Sequence, residues 1–442
     1  MIKQMKSLLV LAVVLAFTSC DYYDFEAIQP INSVTAGSAI VDAQSARAAR
    51  AGLYSSLQGN DFDRHLAGYQ YYSDECDWTG TFPTREEFDI YNVVTSNGTL
   101  AGMFTSHYTT INVANNILDI LPTVEDLTVT DEIRSSILGE SRFIRALAYF
   151  ELVQGWGEVP LILTPTRGVG EELNVAKSSV DAIYTQMIAD LEFAASNIDA
   201  GQSLGATPAA ANALLARIAL YQERWDDAES LATSVVGDDY DLSSIAYLED
   251  EIFFIEYSPT DGNSLAFFYA PADLNGRLSI SPSSTLINAY EEGDIRKDLS
   301  IDSLGTTAYG IKYNDFATAS GSQSDPIRLI RGAEMALIIA EANAEQGDFD
   351  AAEEWLNKVR NRAGLDDIDD MDEDNFEDII LQERFVELAM ESGHRLWDVR
   401  RRGRALELFG PGGYDACDDV WPLPQRDIDR NPNLVQNDCC NC

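Results

Sequence analysis

The chain is poor in the residues that most often carry chemistry or grip nucleic acid. It has three histidines in 442 residues, His65, His107 and His394, and none lies near a cysteine, so no zinc pattern of the mixed type forms. Basic residues number 30 against 73 acidic ones, which leaves a formal charge of −43 spread along the chain. Nucleic acid is thereby excluded as a partner, because binding it requires a basic surface to replace the phosphate counterions. Acidity of this kind reads as solubility, and suits a saline medium. No glycine-rich phosphate loop, nucleophile elbow or histidine pair for a metal is present. The acidic run Asp366 to Asp378 is no calcium loop either: counted from Asp370, the sixth place is not glycine and the twelfth is Leu381. Its default is a solvated loop.

Cysteine is equally sparing. After Cys20 there remain Cys76, Cys417, Cys439, Cys440 and Cys442, an odd set with three crowded at the end. Two spaced pairs, as zinc would want, are missing. One disulfide outside the cell, with Cys417 and the terminal cluster as its candidates, is the reading.

The chain also lacks an apolar run long enough for a membrane anchor near its start. Leu8 to Phe17 is ten residues, where a crossing helix needs about 20. Preceded by Lys3 and Lys6 and followed by Thr18, Ser19 and Cys20, it reads as an export signal over residues 1–19. Small residues before a cysteine are what a lipoprotein signal peptidase requires, so Cys20 is expected to be lipidated and become the new terminus, although Phe17 stands where leucine is usual. Ordinary secretion is the alternative. Acyl chains at roughly 0.8 kcal/mol per buried methylene make such attachment effectively permanent. No acidic residue leaves with the signal, so the mature chain is more negative by the two lysines.

What is abundant is helical periodicity. Apolar residues recur at spacings of three and four in Ala46, Ala49, Leu53, Leu57 and in Ile111, Ala114, Leu118, Leu121. Ser178 with Asp181 resembles a capping box, and Thr207 with Pro208 is a cap followed by the helical position that favours proline. At an offset of 124 residues, Leu214, Ala216, Trp225, Asp226, Ala228 and Glu229 match Ile338, Ala340, Phe349, Asp350, Ala352 and Glu353. Each copy reads as helix, turn, helix, the pattern of a tetratricopeptide-type pair that buries its apolar face only by stacking. The expected fold is therefore mostly α: a tetratricopeptide-like helical scaffold drawn from residues 45–60, 100–155, 178–236 and 330–405. Residues 61–99 and 240–330 lose the periodicity and form a loop-rich half, with a short strand from Glu251 to Tyr257 and a turn over Pro259 to Asn263.

These features accompany a resemblance to the SusD/RagB family of nutrient-binding lipoproteins. The stretch Gly139 to Phe150 with Gly157-Glu158-Val159-Pro160-Leu161 is similar to the family's central helix and following loop. Arg331 to Leu365, Glu383 to Leu388, His394 to Arg401, Trp421-Pro422-Leu423-Pro424 and Asn431 to Asn437 resemble its carboxy-terminal signature; Asp438-Cys439-Cys440 stands where a Pro-Gly-Tyr is usual. The resemblance implies one SusD-like domain over 20–442, with an N-terminal part (21–236), an irregular ligand-facing segment (237–330) and a C-terminal signature region (331–442). It also implies a lipid anchor in the outer membrane, a SusC-like TonB-dependent transporter as partner, glycan ligands with peptide as the alternative, no cofactor and no catalysis. The acidic residues Asp21 and Asp24 resemble a surface-export signal of Bacteroidota-type bacteria; in other bacteria an aspartate there marks inner-membrane retention.

Paired carboxylates for sugar hydrolysis can be proposed in many places among 73 acids, and that abundance is the objection, since spacing in sequence certifies no geometry. Glu383, Arg384, Glu387, His394, Arg395, Asp398 and Arg400 look like an active site and read better as a salt-bridged helix clamp. Glycan capture needs aromatic faces beside short polar groups. The first loop-rich segment offers Tyr72, Asp74, Trp78, Phe82, Arg85, Tyr91 and Asn92; the second offers Tyr269, Asn275, Arg277 and Tyr309. Trp78, flanked by Asp77, Thr79 and Gly80, is the expected stacking platform. The competing reading for every aromatic is a place in the core. Asn112, Asn115, Asn116 and Trp156 are read as structural. A protein-binding helical scaffold is the remaining alternative function.

Overall fold

The structure is a computed structural model that describes residues 39–58, 62–168, 170, 173–201, 205–313 and 324–438. The export signal, Cys20, the acidic residues after it and the last four residues lie outside these. The sequence first lays down α1 (Ala43–Leu57), α2 (Phe62–Tyr71), β1 (Cys76–Trp78), α3 (Pro83–Asp89), α4 (Gly98–Ile120), α5 (Asp131–Trp156), β2 (Val159–Pro160), β3 (Lys177–Ser178), α6 (Val180–Asn197), α7 (Pro208–Tyr221) and α8 (Trp225–Val236). Capping chemistry sets many of these starts. Asn97 Oδ1 accepts from the amides of Thr99 and Leu100, and Thr207 accepts from Ala210 with Pro208 in the first turn, as expected. The cap of α6 is Ser179, which accepts from Ala182; Ser178, the expected cap, lies one residue earlier and pairs in β3 with Val159.

The helices stack in sequence order: α5 lies against α4 and α6, α6 against α7, and α7 against α8. The second repeat copy, α12 (Gly332–Glu345) and α13 (Phe349–Ala363), continues the stack through an α8–α12 contact. The matched positions show why the two copies look alike. Leu214 and Ile338, Ala216 and Ala340, and Ala228 and Ala352 are all fully buried. Alanines along α7 allow the backbones to approach, and a buried bridge of 2.6 Å from Arg217 to Glu334 ties the first helices of the two copies together. The helical repeat scaffold expected from the periodicity is the observed fold.

Between the copies the chain leaves the stack to form β4 (Glu251–Ile255), α9 (Leu265–Tyr269), β5 (Ile280–Pro282), α10 (Ser284–Ala289), α11 (Ile295–Ser300), β6 (Ile301–Leu304), β7 (Thr307–Gly310) and β8 (Ile327–Arg331). β4 pairs antiparallel with β8, which runs straight into α12. After α13 come α14 (Phe376–Glu387), α15 (His394–Arg401), α16 (Ala405–Leu408) and α17 (Gln425–Arg430). Residues 61–99, read as irregular, contain two helices. α2 and α3 have ten and seven residues, too few turns for a periodicity to stand out, and both rest on α4.

The clamp read from Glu383 to Arg400 is a buried ion network. Arg331 reaches Asp250 at 2.9 Å, Glu387 at 2.9 Å and Glu391 at 2.7 Å. Arg296 joins Asp294, Glu383 and Glu387, Arg362 joins Glu387 at 2.6 Å, and Arg384 joins Asp398 at 2.7 Å. Two members depart from the clamp. Arg400 donates to the carbonyls of Gln154 and Asp418, and His394 is buried with its pKa well below the usual value, chiefly from desolvation and then from nearby cations. Cys417 is disulfide-bonded, while Cys76 is a buried free thiol.

Two predictions follow from this interior. Removing Arg331 takes the shared cation from three buried carboxylates and leaves them with Arg296, Arg362 and Lys312 alone, so Arg331→Met should cost about 3–5 kcal/mol of stability, read as a lower urea midpoint; an unchanged midpoint would show the network to be dispensable. Stability should also peak in mildly acid solution. Burial alone would raise Glu387, Glu391 and Asp250, but Arg331 and its neighbouring cations hold all three below their ordinary values. Their contribution is present above the unfolded carboxylate range and is lost as pH falls toward their folded pKa values. Desolvation raises Glu75 and Glu151 to about 8, so these two favour the fold below pH 4.5 and oppose it progressively up to about 8. Glu151→Gln should flatten the decline on that alkaline side in denaturation series at pH 5, 6.5 and 8, and an unaltered slope would remove Glu151 as its source.

Candidate functional site

The two loop-rich segments meet through one short ladder. β1 pairs antiparallel with β5, setting Trp78 opposite Ile280, and Thr79 extends the contact with its amide to Ser279 O (3.0 Å) and its hydroxyl to Leu278 O (2.7 Å). The turn after α9 is closed by Arg277 N to Phe267 O, Leu278 N to Ala270 O and Ser279 N to Phe268 O. Asn275 sits in that turn with a left-handed φ of 63°, which asparagine tolerates better than most residues. At Gly276 a side chain would run into the Ala270 carbonyl.

This joint brings four of the expected residues into one layered cluster, with Phe268 beneath. The Arg85 guanidinium lies 4.6 Å from the Phe268 ring centre, 5.2 Å from Trp78 and 5.9 Å from Phe82. Trp78 and Phe82 stack at 6.4 Å with 29° between planes. Outermost, Arg277 lies 4.3 Å over Phe82 and donates to Thr81 Oγ1 at 3.0 Å. Arg85 is buried, whereas Phe82 is 41% exposed and Arg277, Thr79, Thr81 and Asp77 face solvent. Asp89 anchors the layer by accepting from Trp78 N at 3.0 Å, and burial raises its pKa to about 6.

Trp78 is therefore not the open platform expected of it. It is 7% exposed, with Gly80 packed so tightly on its ring that a Cβ there would overlap it, and with Tyr71, Phe82 and Arg85 around it. The residue that presents aromatic surface is Phe82. Other expected ligand contacts belong to the interior for equally physical reasons. Asp74 is held by both ends of the Arg395 guanidinium at 2.7 Å. Tyr72 is 2% exposed and donates to Asp418 O. Tyr269 is 1% exposed and lies parallel to Tyr313. Tyr309 is buried with its hydroxyl on Asp302, and half-buried Tyr91 wedges between the rings of Tyr72 and Tyr414. Asn92 is exposed but stands outside the layered cluster. Thr81, which supports Arg277, was not singled out from the sequence; its position one residue before Phe82 is the only signal that pointed to it.

A groove of about 500 Å³ opens elsewhere, lined by Phe104, Tyr108, Ile111, Pro160, Asn431 and Leu434 among others. Its polar side chains are largely engaged by the chain itself: Asn115 donates to Ile162 O and Thr164 O and accepts from Arg145, Asn112 accepts from Thr166 N, and Asn431 donates to Val175 O. The structural reading of Asn112 and Asn115 holds. Trp156, likewise, is fully buried and donates to Pro422 O.

The fold is thus a helical repeat stack that carries a loop-borne aromatic cluster. Family profiles match the chain over residues 305–419, described as the SusD family, and over residues 30–220, described as starch-binding and associating with the outer membrane. The chain belongs to the SusD/RagB family. A SusD-like protein, P2, of Formosa agariphila is 24% identical over 81% of this chain and 84% of its own. A SusD superfamily protein from Bacteroides vulgatus superposes with a TM-score of 0.80 at 21% identity, covering 90% of this chain and 99% of that one. A laminarin-binding SusD-like protein superposes with a TM-score of 0.79 at 22% identity, covering 90% and 100%.

The tight seat of Trp78 yields a test. Gly80→Ala should overpack the indole and cost about 1–3 kcal/mol, with a changed near-ultraviolet tryptophan spectrum. A variant of wild-type stability and spectrum would mean that Gly80 and Trp78 do not pack together in solution.

Proposed function

We propose that this protein is a lipid-anchored, surface-exposed capture subunit that holds oligo- or polysaccharides at the Phe82–Arg277 ledge and passes them to a SusC-like TonB-dependent transporter. One observation carries the reading: the aromatic surface and the hydroxyls that a sugar would meet are gathered, outward-facing, on the loop-rich half of a SusD-family scaffold. A sugar ring offers an apolar face and hydroxyls for hydrogen bonds, and the exposed edge of Phe82 with Thr79, Thr81, Asp77 and Arg277 supplies partners for both. The laminarin-binding neighbour with the same fold supports a glycan as ligand, and the family description supports association with the outer membrane. Among the described residues no helix is long and apolar enough to cross a membrane; in this reading the anchor is a lipid on Cys20.

A role in capture without catalysis fits the state of the carboxylates that looked catalytic. Glu383, Glu387 and Asp398 are each paired with arginines at 3.2 Å or less and buried in the interior, out of contact with the ledge where the glycan is proposed to bind.

The test is affinity electrophoresis of the soluble chain, begun at Asp21, in gels containing single polysaccharides. Retardation by at least one glycan is expected, with a loss of roughly tenfold in Phe82→Ala, since burying the exposed part of a phenyl ring against apolar sugar C–H groups is worth on the order of 1–2 kcal/mol, and a comparable loss in Trp78→Ala, which removes the ring behind it. Retardation kept in both variants moves the site away from the ledge. No retardation by any glycan, with saturable binding of peptides, would replace this reading by peptide capture.

A further inference from the structure

In a chain this acidic, arginines find carboxylates. Even exposed ones do so: Arg167 pairs with Asp119 at 2.8 Å, Arg426 with Asp427 at 3.2 Å, and Arg224 with Asp227. Arg277 does not. It is exposed and has no carboxylate partner among the described residues, yet it is held in place by the Phe82 ring and the Thr81 hydroxyl. Of the other exposed arginines, Arg47 and Arg430 also lack such a partner among the described residues, but neither lies over an aromatic ring there; Arg134 and Arg400, both partly buried, give their guanidinium groups to backbone carbonyls instead. Arg277 alone of the three exposed ones is both unmatched and oriented.

Orientation is the informative part. A free arginine side chain carries about 2 kcal/mol of rotamer entropy, and the planar fork loses less of it per bond when it is already positioned. One N–H of the guanidinium is used on Thr81, which leaves the others for a ligand. Parallel N–H groups in a plane match the two oxygens of a carboxylate or a sulfate ester, whose charge makes the bonds shorter and stronger than those to neutral hydroxyls. A neutral sugar gains ordinary hydrogen bonds from a pre-oriented cation; an anionic one gains the stronger charge-assisted ones, which offset the repulsion from the rest of this protein.

We propose that Arg277 makes the ledge selective for anionic glycans, taking an oxyanion of a uronate or sulfated sugar while the sugar ring lies beside the exposed edge of Phe82. This rests on the glycan-capture reading and adds the ligand's charge to it.

Paired polysaccharides that differ only in charge separate the two. The full soluble chain is titrated with polygalacturonate against its methyl-esterified form, and with dextran sulfate against dextran, with neutral laminarin as a further ligand. Salt of about 0.5 M holds the screening length to roughly 4 Å and suppresses the overall repulsion. The expected result is binding of at least one charged member roughly tenfold tighter than its neutral twin. Arg277→Ala should abolish that preference and Arg277→Lys should restore part of it. The carboxylate and sulfate pairs report which oxyanion is taken. Equal affinity for charged and neutral twins, or a preference that survives in Arg277→Ala, overturns the inference. Laminarin binding in that case leaves the glycan reading standing, whereas no binding to any of the five polymers removes both.

Discussion

One buried guanidinium organises the junction on which the rest depends. Arg331 ends β8 and is the N-cap residue of α12, so it stands where the chain returns from the loop-rich insertion to the helical stack. Its three carboxylate partners come from three places: Asp250 beside β4, Glu387 at the end of α14, and Glu391 just after it. Asp250 also accepts from Ala333 N at 2.7 Å, which satisfies a first-turn amide of α12. Lys312, from the end of the insertion's second hairpin region, reaches Glu391 at 2.7 Å. Such a network adds little net energy over a well-packed apolar one, but it is intolerant of rearrangement, since any misplacement leaves a charge buried and alone. It therefore specifies how the insertion is mounted more than how stable it is.

The mounting matters because the ledge is assembled from both loop-rich segments. Neither β1 nor β5 exceeds three residues, and a two-stranded ribbon of that length would not persist unaided. It is held from behind. Asp74, next to β1, is clasped by Arg395 of α15, Glu75 accepts from Met390 N at 2.6 Å, and Ser283, after β5, donates its hydroxyl to Asp74 O at 2.5 Å and its amide to Glu75 O at 3.0 Å. The residues that frame the ledge are thus fastened to the same helices that carry the ion network, and a residue expected to contact ligand, Asp74, is one of the fasteners.

Much of the scaffold was legible because helices advertise themselves locally. Thr207-Pro208 marked a helix start to the residue, and the repeat at 214–229 and 338–353 was visible because the same packing positions demand the same small and large side chains. The ledge was only half legible. Trp78, Phe82, Arg85 and Arg277 were singled out by type and context, but their order in the layer was not, because burial on a loop depends on a partner about 200 residues away. Whether Trp78 or Phe82 faces solvent is decided by Gly80 folding back on the indole and by Arg85 inserting behind it, and neither contact leaves a periodic trace. Tyr72, Tyr91 and Tyr269 were misplaced for the converse reason: the core of this half is itself aromatic, built around Tyr69 and Trp421 stacked at 4.9 Å, so aromatic content did not discriminate ligand from interior.

The division of labour inside the ledge bears on how tightly it can hold anything. Trp78 and Arg85 contribute rigidity and little surface, and the indole N–H of Trp78 is buried with no partner among the described residues, a cost of about 1–3 kcal/mol. What remains for a ligand is one ring, one guanidinium and a few hydroxyls. Contacts of that extent give modest affinity and fast release at a single site. For the proposed role of capture beside a transporter this is an advantage. A polymer with repeating units can rebind at the same ledge and at neighbouring molecules on the membrane, so retention comes from effective concentration, while each individual contact stays weak enough to be surrendered to a transporter.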